Sequence, residues 1–247
     1  MKDKELLEDN IYSDPLGQVA DFVFDDAVVK VFPDMINRSV PGYATIIAVT
    51  AVLAEKYTLA DTLIYDLGCS LGATAIAVAE ASAPGCQIIA VDSSSAMVAA
   101  LQDKLRMLPG LKTPIEVIHD RVEKLEMQHC SMVTMNFTLQ FIPLDERLAL
   151  MKKIAASLLP NGILVLSEKI QLPNQESDEL FVDLHHNFKR GNGYSALEIS
   201  QKRDAIENVL LPETMAVHQA RLIEAGFAKV EVWFQCFNFV SIVAFKH

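Results

Sequence analysis

The stretch YDLGCSLGATAIAVAE, residues 65–80, joins the end of an apolar run to an alanine-rich segment through a glycine-rich turn. Asp66 stands just before the turn, and Gly68, Ser70 and Gly72 follow at short intervals. Glycines between a strand and a helix let the backbone turn sharply and approach a bound molecule closely. The stretch therefore predicts a strand–turn–helix unit of an α/β domain, with a ligand held against the turn.

On both sides of this stretch, short apolar runs alternate with amphipathic segments. Seven runs predict strands, in residues 62–67, 87–92, 115–120, 131–138, 162–169, 228–235 and 237–245. Helices are predicted in residues 25–37, 41–57, 73–82, 94–108, 144–159 and 212–227. Strands and helices that alternate at short spacing are typical of a parallel sheet covered on both faces. The last two strands follow each other directly, which predicts an antiparallel addition at one edge.

This order of elements predicts an α/β, Rossmann-like class I methyltransferase fold. Its sheet is expected to be seven-stranded and mostly parallel, with an antiparallel edge strand. Residues 1–20 resemble a flexible N-terminal lead-in, since chain ends are commonly loose, and residues 21–247 are predicted to form a single domain that binds the cofactor. Residues 170–210 contain helices and loops instead of another strand, so we expect an inserted helical cover there.

Composition restricts the partners of the protein. The 247 residues include 21 Lys and Arg against 32 Asp and Glu, a formal net charge of −11. Such an acidic chain is not expected to bind nucleic acid tightly, because phosphate contacts supply most of that affinity. The four cysteines form no CxxC pair, so we expect no metal. No segment has the pattern of a signal peptide or a membrane span, which predicts a cytoplasmic protein without membrane contact.

The glycine turn lacks the features of two common nucleotide sites. A phosphate loop would need a Gly-Lys-Ser/Thr sequence, and a dinucleotide site would need a glycine in place of Ser70. Asp66 would repel phosphate and attract a cation, while Asp92 ends the next strand, where ribose hydroxyls bind in this layout. S-adenosylmethionine (SAM) has a cationic sulfonium, a ribose and no phosphate. The alternative, in which the glycines serve only tight strand–helix packing, stays open on this evidence.

Five blocks extend the argument over nearly the whole chain, from Phe22 to the end: VFPDMINRSVPGY, YDLGCSLGA, NFTLQF, HHNFKRGNGYSALEISQKR and WFQCFNF. In these blocks the chain resembles the carboxy-S-adenosyl-L-methionine synthases, and the last three are not general methyltransferase motifs. The resemblance implies an enzyme that converts SAM and prephenate to carboxy-S-adenosylmethionine and phenylpyruvate. It also implies that a downstream tRNA carboxymethyltransferase uses this product to form 5-oxyacetyluridine at the wobble position.

The implied reaction makes unusual demands on the site. The sulfonium methyl group must lose a proton and become an ylide, which attacks carbon dioxide released by prephenate. The hydroxide that leaves prephenate is the implied proton acceptor, so the protein needs no strong base of its own. It needs a dry pocket that keeps the reactants together and fixed cations for the carboxylates.

The resemblance assigns two catalytic residues. Arg203, in SQKR, matches the family arginine that pairs with the product carboxylate and reaches the site of a neighbouring subunit, which implies a homodimer. Tyr43, in PGY, matches the family tyrosine near the same carboxyl group. Without the resemblance, Arg203 would be an ordinary exposed helix charge, and Tyr43 an amphipathic residue at a helix start.

The remaining cofactor contacts come from strand ends. Asn136 matches a ligand-binding asparagine, although an asparagine there also commonly bonds its own turn. Where the family has an acidic residue near adenine, this chain has Arg121 and Val122, with Asp120 one position earlier. We expect Asp120 to contribute through a local shift, or Arg121 to contact adenine through its backbone. The predicted cofactor-binding set is Tyr43, Asp66, Gly68, Cys69, Ser70, Asp92, Ser93, Asp120, Arg121, Val122, Asn136 and Arg203.

Several further residues have the chemistry of a site. His185 and His186 are adjacent on a predicted helix and point in different directions, which favours packing over metal binding. Lys189 and Arg190 follow them and are expected to lend positive potential to a prephenate pocket, with solvation of a helix end as the alternative. Arg38 is a similar, weaker candidate.

Two other functions fit the same fold, since a fold alone does not decide function. A small-molecule SAM-dependent methyltransferase would transfer the methyl group and leave S-adenosylhomocysteine. A non-catalytic SAM-binding scaffold for a tRNA-modifying enzyme would leave SAM unchanged. The mass of the cofactor after incubation with prephenate separates these alternatives from the carboxylation reaction.

Overall fold

A seven-stranded sheet lies at the centre of the protein, for which the computed structural model describes residues 7–207 and 209–247. Its strands are β1 Leu63–Leu67, β2 Gln87–Asp92, β3 Ile115–His119, β4 Cys130–Asn136, β5 Leu158–Lys169, β6 Lys229–Cys236 and β7 Phe239–Phe245. They lie in the order β3-β2-β1-β4-β5-β7-β6. The first five strands are parallel, and β7 pairs antiparallel with both β5 and β6. The predicted fold class is confirmed.

The helices of the described residues are α1 Asp26–Ser39, α2 Tyr43–Tyr57, α3 Ala73–Ala81, α4 Ser95–Arg106, α5 Arg147–Ser157, α6 Gln175–Gly191, α7 Ala196–Ile206 and α8 Met215–Glu224. Local hydrogen bonds explain several of their starts. Asp25 caps α1, and Ser94 caps α4. Ser195 and Glu198 form a reciprocal capping box at α7. Such side chains satisfy backbone N–H groups that have no partner inside the helix.

Alternating side chains along the strands build a core on each face of the sheet. In β2, Ile88 and Ala90 join one buried cluster, while Ile89 and Val91 join the other. A strand covered by helices on both sides must be apolar in both directions. This explains why the strand sequences are continuous apolar runs instead of an alternation of apolar and polar residues.

The strand order brings polar residues from distant parts of the chain to one edge of the sheet. Strand β1 pairs with β2 on one side and with β4 on the other, so the chain reverses its winding at β1. Strands β2, β1, β4 and β5 are consecutive in the sheet. Each of them ends in or close to a polar residue: Asp92, Asp66, Asn136 and Lys169, respectively. Ligands of open parallel sheets bind in the crevice at such a reversal.

The described part of the predicted N-terminal lead-in contacts the helical cover, and its flexibility stays a prediction. Residues 7–20 contain no helix or strand, but Asp9 is only 2% exposed. The backbone N–H of Leu16 donates to Oε1 of Gln201 in α7 at 2.6 Å. Polar contacts therefore join Asp9 and Leu16 of this segment to the helical cover. Residues 1–6 of the predicted lead-in lie outside the described residues, and the domain boundary at residue 21 stays a prediction.

Two further expectations concern long elements. Strand β5 begins at Leu158, earlier than predicted, because Leu158 already pairs with Cys130 of β4. Helices α6 and α7 occupy the segment predicted as an inserted cover.

Within the described residues no single helix is long and apolar enough to cross a membrane, although α1 and α2, bent by 94°, pass that test as a pair.

Candidate active site

A cavity of about 680 Å³ opens at the carboxyl edge of the sheet, and α1, α6 and α7 contribute to its walls. Most of the residues predicted from sequence line it: Tyr43, Gly68, Cys69, Ser70, Asp92, Ser93, Arg121, Val122, Asn136 and Arg203. Asp66 is not part of the lining and is buried. Asp120 is absent from the lining. The fold thus brings together residues from the whole length of the chain.

The glycine turn is shaped by backbone conformation and by one carboxylate. Gly68 has φ +77°, and a Cβ there would lie 2.0 Å from Oγ1 of Thr138, so only glycine fits. Ser70 also has a positive φ of 49°, which is uncommon for a residue with a side chain. Its N–H donates to Oδ2 of Asp92 at 2.8 Å. Asp92 therefore ties the turn to the end of β2.

The two acids of this end are Asp66, which is buried, and Asp92, which is half-buried. Asp66 is 3% exposed, and its Oδ1 accepts a hydrogen bond from Oγ1 of Thr134 at 2.7 Å. Its Oδ2 has no hydrogen-bond partner among the described residues. Burial raises the pKa of Asp66 to about 7, and burial also raises that of Asp92. An unpaired buried carboxylate oxygen is costly, and the cationic amino group or sulfonium of SAM has the charge that would satisfy it.

Tyr43 lies at the start of α2, directly after a constrained turn. Gly42 has φ +76°, and a Cβ there would lie 2.2 Å from Cζ of Phe234. Burial, followed by the nearby charge of Asp66, raises the pKa of the Tyr43 phenol. The hydroxyl therefore stays protonated at neutral pH and can donate a hydrogen bond into the cavity.

Asn136 bonds neighbouring elements through both side-chain groups. Its Nδ2 donates to Oγ1 of Thr74 at 3.1 Å, and its Oδ1 accepts from Oγ of Ser167 at 2.6 Å. These bonds join the end of β4 to α3 and β5. Asn136 thus lines the cavity while it holds three elements together, and its direct contact with a ligand stays a prediction.

The segment after β3 favours one of the two adenine hypotheses. Oδ1 of Asp120 accepts the N–H of Arg121 at 2.7 Å. Arg121 and Val122 both line the cavity, and the guanidinium of Arg121 forms an ion pair with Glu123 at 2.7 Å. The positions of these residues therefore support contact with adenine through Arg121 and the buried Val122. They do not place Asp120 in the site.

Arg203 lines the cavity of its own chain, with a side chain that is 56% exposed. Its nearest acidic partner is the neighbouring Asp204, at 3.7 Å. An exposed pair of this kind contributes little to stability, so the guanidinium is free to bind an anion at the rim. Its reach into the site of a second subunit stays a prediction.

His185 and His186 both lie beside the cavity, and His185 has a packing role. Nε2 of His185 lies 2.7 Å from the carbonyl oxygen of Ser39, and burial lowers the pKa of His185 to about 3. The neutral ring donates that hydrogen bond and packs on Phe239, as the packing hypothesis expects. His186 lines the cavity. In the part of the chain that the structure describes, no group of three or more His, Cys, Asp or Glu could hold a metal ion.

Arg190 and Arg38 do not line the cavity. Arg190 is exposed and donates to Oδ1 of Asn187, so it does not lend charge to a pocket as expected. The guanidinium of Arg38 stacks 3.9 Å from the ring centre of Tyr194 and pairs with Asp34 at 3.0 Å. Arg38 therefore supports the cover behind the cavity.

Two parts of the lining have no signal in the local sequence. One is an aromatic wall in which Phe24 packs edge-on against Phe22 at 5.1 Å and against Phe141 at 5.6 Å. The other is a pair of cations, Lys169 at the end of β5 and Lys202 in α7. Lys202 stands beside Arg203 in the sequence, but no local pattern distinguishes a lysine that faces a cavity from one that faces water.

The sheet order, the glycine turn and the cavity at the carboxyl edge together define a class I SAM-dependent methyltransferase fold. Residues 64–162 match the family model of a methyltransferase domain. Human N-acetylserotonin methyltransferase in complex with SAM superposes with a TM-score of 0.61 at 15% identity, over 90% of this chain and 55% of that one. Magnesium protoporphyrin IX methyltransferase from Synechocystis, with bound SAM, gives 0.56 at 18%, over 89% and 84%. These likenesses establish the fold.

Sequence relatives identify the family within that class. The chain is 53% identical to the carboxy-S-adenosyl-L-methionine synthase of Trichlorobacter lovleyi over 239 residues, which are 96% of this chain and 98% of the relative. It is 50% identical to the synthase of the same name from Vibrio cholerae over 240 residues, 97% of each chain. The protein belongs to the carboxy-S-adenosyl-L-methionine synthase family, and it is an enzyme.

Proposed function

We propose that this enzyme converts SAM and prephenate to carboxy-S-adenosylmethionine and phenylpyruvate. The observation that carries the proposal is the charge of the cavity. Asp92 lines the cavity at the β2 end and the buried Asp66 lies near it at the end of β1, while lysines and Arg203 come from β5, α6 and α7. This arrangement suits one cationic and one dianionic substrate in a single site, and the names of the relatives support the product.

The residues at the β1 and β2 end would hold SAM. Gly68 and Ser70 let the ligand approach the backbone of the turn, and Asp92 is placed for the ribose hydroxyls. The charge of Asp66, which is buried outside the lining, would attract the cationic amino acid portion. Val122 would pack on adenine, with the backbone of Arg121 at its edge.

The proposed reaction needs no added reductant or oxidant. Prephenate breaks two bonds, to carbon dioxide and to hydroxide, and its ring becomes the aromatic ring of phenylpyruvate. The hydroxide takes a proton from the sulfonium methyl group and becomes water. The methyl carbon then bonds to the carbon of carbon dioxide. The chain contributes binding, exclusion of water by the aromatic wall, and Arg203 as the partner of the new carboxylate.

Mass spectrometry of the cofactor after incubation with prephenate tests this function. We expect a product heavier than SAM by one carbon dioxide, formed only with prephenate and lost in Arg203→Ala. Asp204→Ala, which alters the exposed neighbour of Arg203, serves as the matched control and should retain the product. Accumulation of S-adenosylhomocysteine would favour an ordinary methyltransferase, and unchanged SAM would favour a binding scaffold.

We further propose that the enzyme acts in the cytoplasm as a homodimer and supplies a tRNA carboxymethyltransferase that forms wobble 5-oxyacetyluridine. The exposed Arg203 supports the dimer, because it could reach a second copy. The net charge of −11 supports a link through the product instead of through direct tRNA binding. Light scattering measures the mass in solution, and nucleoside analysis of tRNA from a strain without the gene tests the pathway.

A further inference from the structure

Three lysines from three separate elements face the cavity: Lys169 at the end of β5, Lys189 in the last turn of α6, and Lys202 in α7. Lys189 is 6% exposed and Lys202 is 7% exposed. Lysines are almost never this buried unless they are paired. Their burial around one cavity therefore requires an explanation.

The partners of these amines differ. Nζ of Lys202 lies 3.4 Å from Oδ2 of Asp9 and 3.3 Å from Oγ of Ser39. Nζ of Lys189 has no hydrogen bond or ion pair with any residue in 7–207 or 209–247; its closest defined contact is the ring of Tyr194, whose centre lies 5.5 Å away. The Lys202 amine lies 5.5 Å from the same ring centre. The two amines thus share one ring, and only one of them has an acid.

The charges that act on Lys189 have both signs. Burial, with repulsion from Lys202 and Lys169, lowers its pKa to about 7. The titratable groups around it include Lys169, His185, His186, Tyr194 and Lys202, and the acids Asp9 and Glu198 oppose the repulsion without forming an ion pair with its amine. A bound carboxylate would supply the missing counter-charge and charge-assisted hydrogen bonds.

A dianion such as prephenate offers this subsite two different carboxylates. An ion pair with the departing carboxylate would stabilise the ground state and be lost as carbon dioxide leaves, which raises the barrier. An ion pair with the carboxylate of the α-keto arm persists through the reaction. The α-keto arm and the departing carboxylate are bonded to the same ring carbon. An ion pair that fixes the arm therefore also orients the departing carboxylate.

We infer that Lys189, supported by Lys202 and Lys169, binds the α-keto carboxylate that the co-substrate keeps, and leaves the departing carboxylate to face the cofactor. The inference rests on the proposed function for the identity of the substrate. It assigns a specificity role to Lys189, because an anion that lacks this arm would leave the buried amine unpaired.

The test compares prephenate with phenylpyruvate, which retains the α-keto carboxylate and lacks the departing one. In Lys189→Gln, we expect the KM for prephenate and the inhibition constant for phenylpyruvate to rise by the same factor, about tenfold or more. The dissociation constant for SAM should stay within about twofold, which also shows that the variant is folded. Arg190→Gln removes the adjacent, exposed charge of the same helix and should change none of these values. Lys189→Met, which keeps the length of the side chain, provides a second neutral variant if the first fails to fold.

A rise for prephenate alone would place the lysine on the departing carboxylate and overturn the inference, as would no change for either anion. Calorimetric binding of phenylpyruvate to the complex with S-adenosylhomocysteine needs no turnover. If the wild-type enzyme makes no carboxylated product, the proposed function fails, but this binding experiment still decides whether Lys189 holds an α-keto carboxylate.

Discussion

The two ends of the cavity differ in charge and in their origin along the chain. At one end, Asp66 and Asp92 belong to one continuous strand–turn–helix–strand unit. At the other end, Lys169, Lys189 and Lys202 come from β5, α6 and α7. One end is built by local sequence, and the other by the packing of an inserted cover onto the sheet.

This difference shows how an acidic protein concentrates positive charge where it is used. The lysines are few, but Lys189 and Lys202 are buried, and a charge away from bulk water acts more strongly than one at the surface. The acids of the other end remain separate because β1 and β5 have β4 between them, and neighbouring strands are about 4.8 Å apart. A cation and a dianion can therefore occupy opposite ends of one site.

The largest effect is expected from breaking the acidic end at its turn. Gly68→Ala adds a Cβ that meets Thr138, and the left-handed backbone of this turn is unfavourable for alanine. We therefore expect SAM affinity to fall by about 100-fold. Gly110→Ala is the matched control, because Gly110 has φ +94° and no atom within 4 Å of the added Cβ. Calorimetry measures both, and equal affinities in the two variants would contradict the close fit at the turn.

A smaller loss is expected when the charge of that end is removed while its shape is kept. Asp92→Asn retains the size of the side chain but weakens the bond to Ser70 N–H and the proposed bond to a ribose. Charge-assisted hydrogen bonds of this kind predict a loss of SAM affinity of about 10- to 100-fold. Binding of prephenate or phenylpyruvate to the opposite end should change far less, and a parallel loss of both ligands would show that the ends are not independent.

The pH dependence of anion binding tests the lysine end of the cavity without mutation. Lys189 carries its charge fully only below its pKa of about 7, so anion affinity should fall as the pH rises through 7, by up to about tenfold per unit. The free energy of unfolding should change in the opposite direction. The unfolded lysine binds a proton up to its ordinary pKa, so the empty enzyme gains stability from this group between pH 7 and 10.

The pKa of Lys202 is also lowered, to about 8, mainly by burial, and it adds to the same trend. Both pH dependences are measured with phenylpyruvate binding and with denaturant unfolding. In Lys189→Gln the slope just above pH 7 should become shallower. An unchanged slope in that variant would assign the titration to another group.

The smallest change in SAM affinity is expected from Asp120, next to the predicted adenine contacts of the acidic end. Asp120→Ala should leave SAM affinity within about twofold, because its carboxylate bonds the N–H of Arg121 and does not line the cavity. Val122→Ala, which removes buried apolar surface from the lining, should weaken binding more than that. The reverse ranking would support the local shift that brings Asp120 to adenine.

Much of the fold follows from the sequence, because strand and helix periods are local properties. The apolar runs predict all seven strands, and Ser94 and the Pro41-Gly42 pair mark helix starts that the structure reproduces. The start of β5 was missed because Leu158 is recruited by pairing with Cys130, a contact across the sheet. The anchoring of Asp9 was missed for the same reason, since its partners lie in α7 and the adjoining loop.

The sequence by itself determined the glycine turn, the two acids and, through family resemblance, the reaction. These features depend on spacing within a short segment or on blocks of recognisable residues. Only the tertiary structure decided that Lys189 is buried while Arg190 is exposed, and that Arg121 replaces Asp120 at the cavity. The burial of a long charged side chain depends on which distant elements pack around it, and that information does not lie in the neighbouring residues.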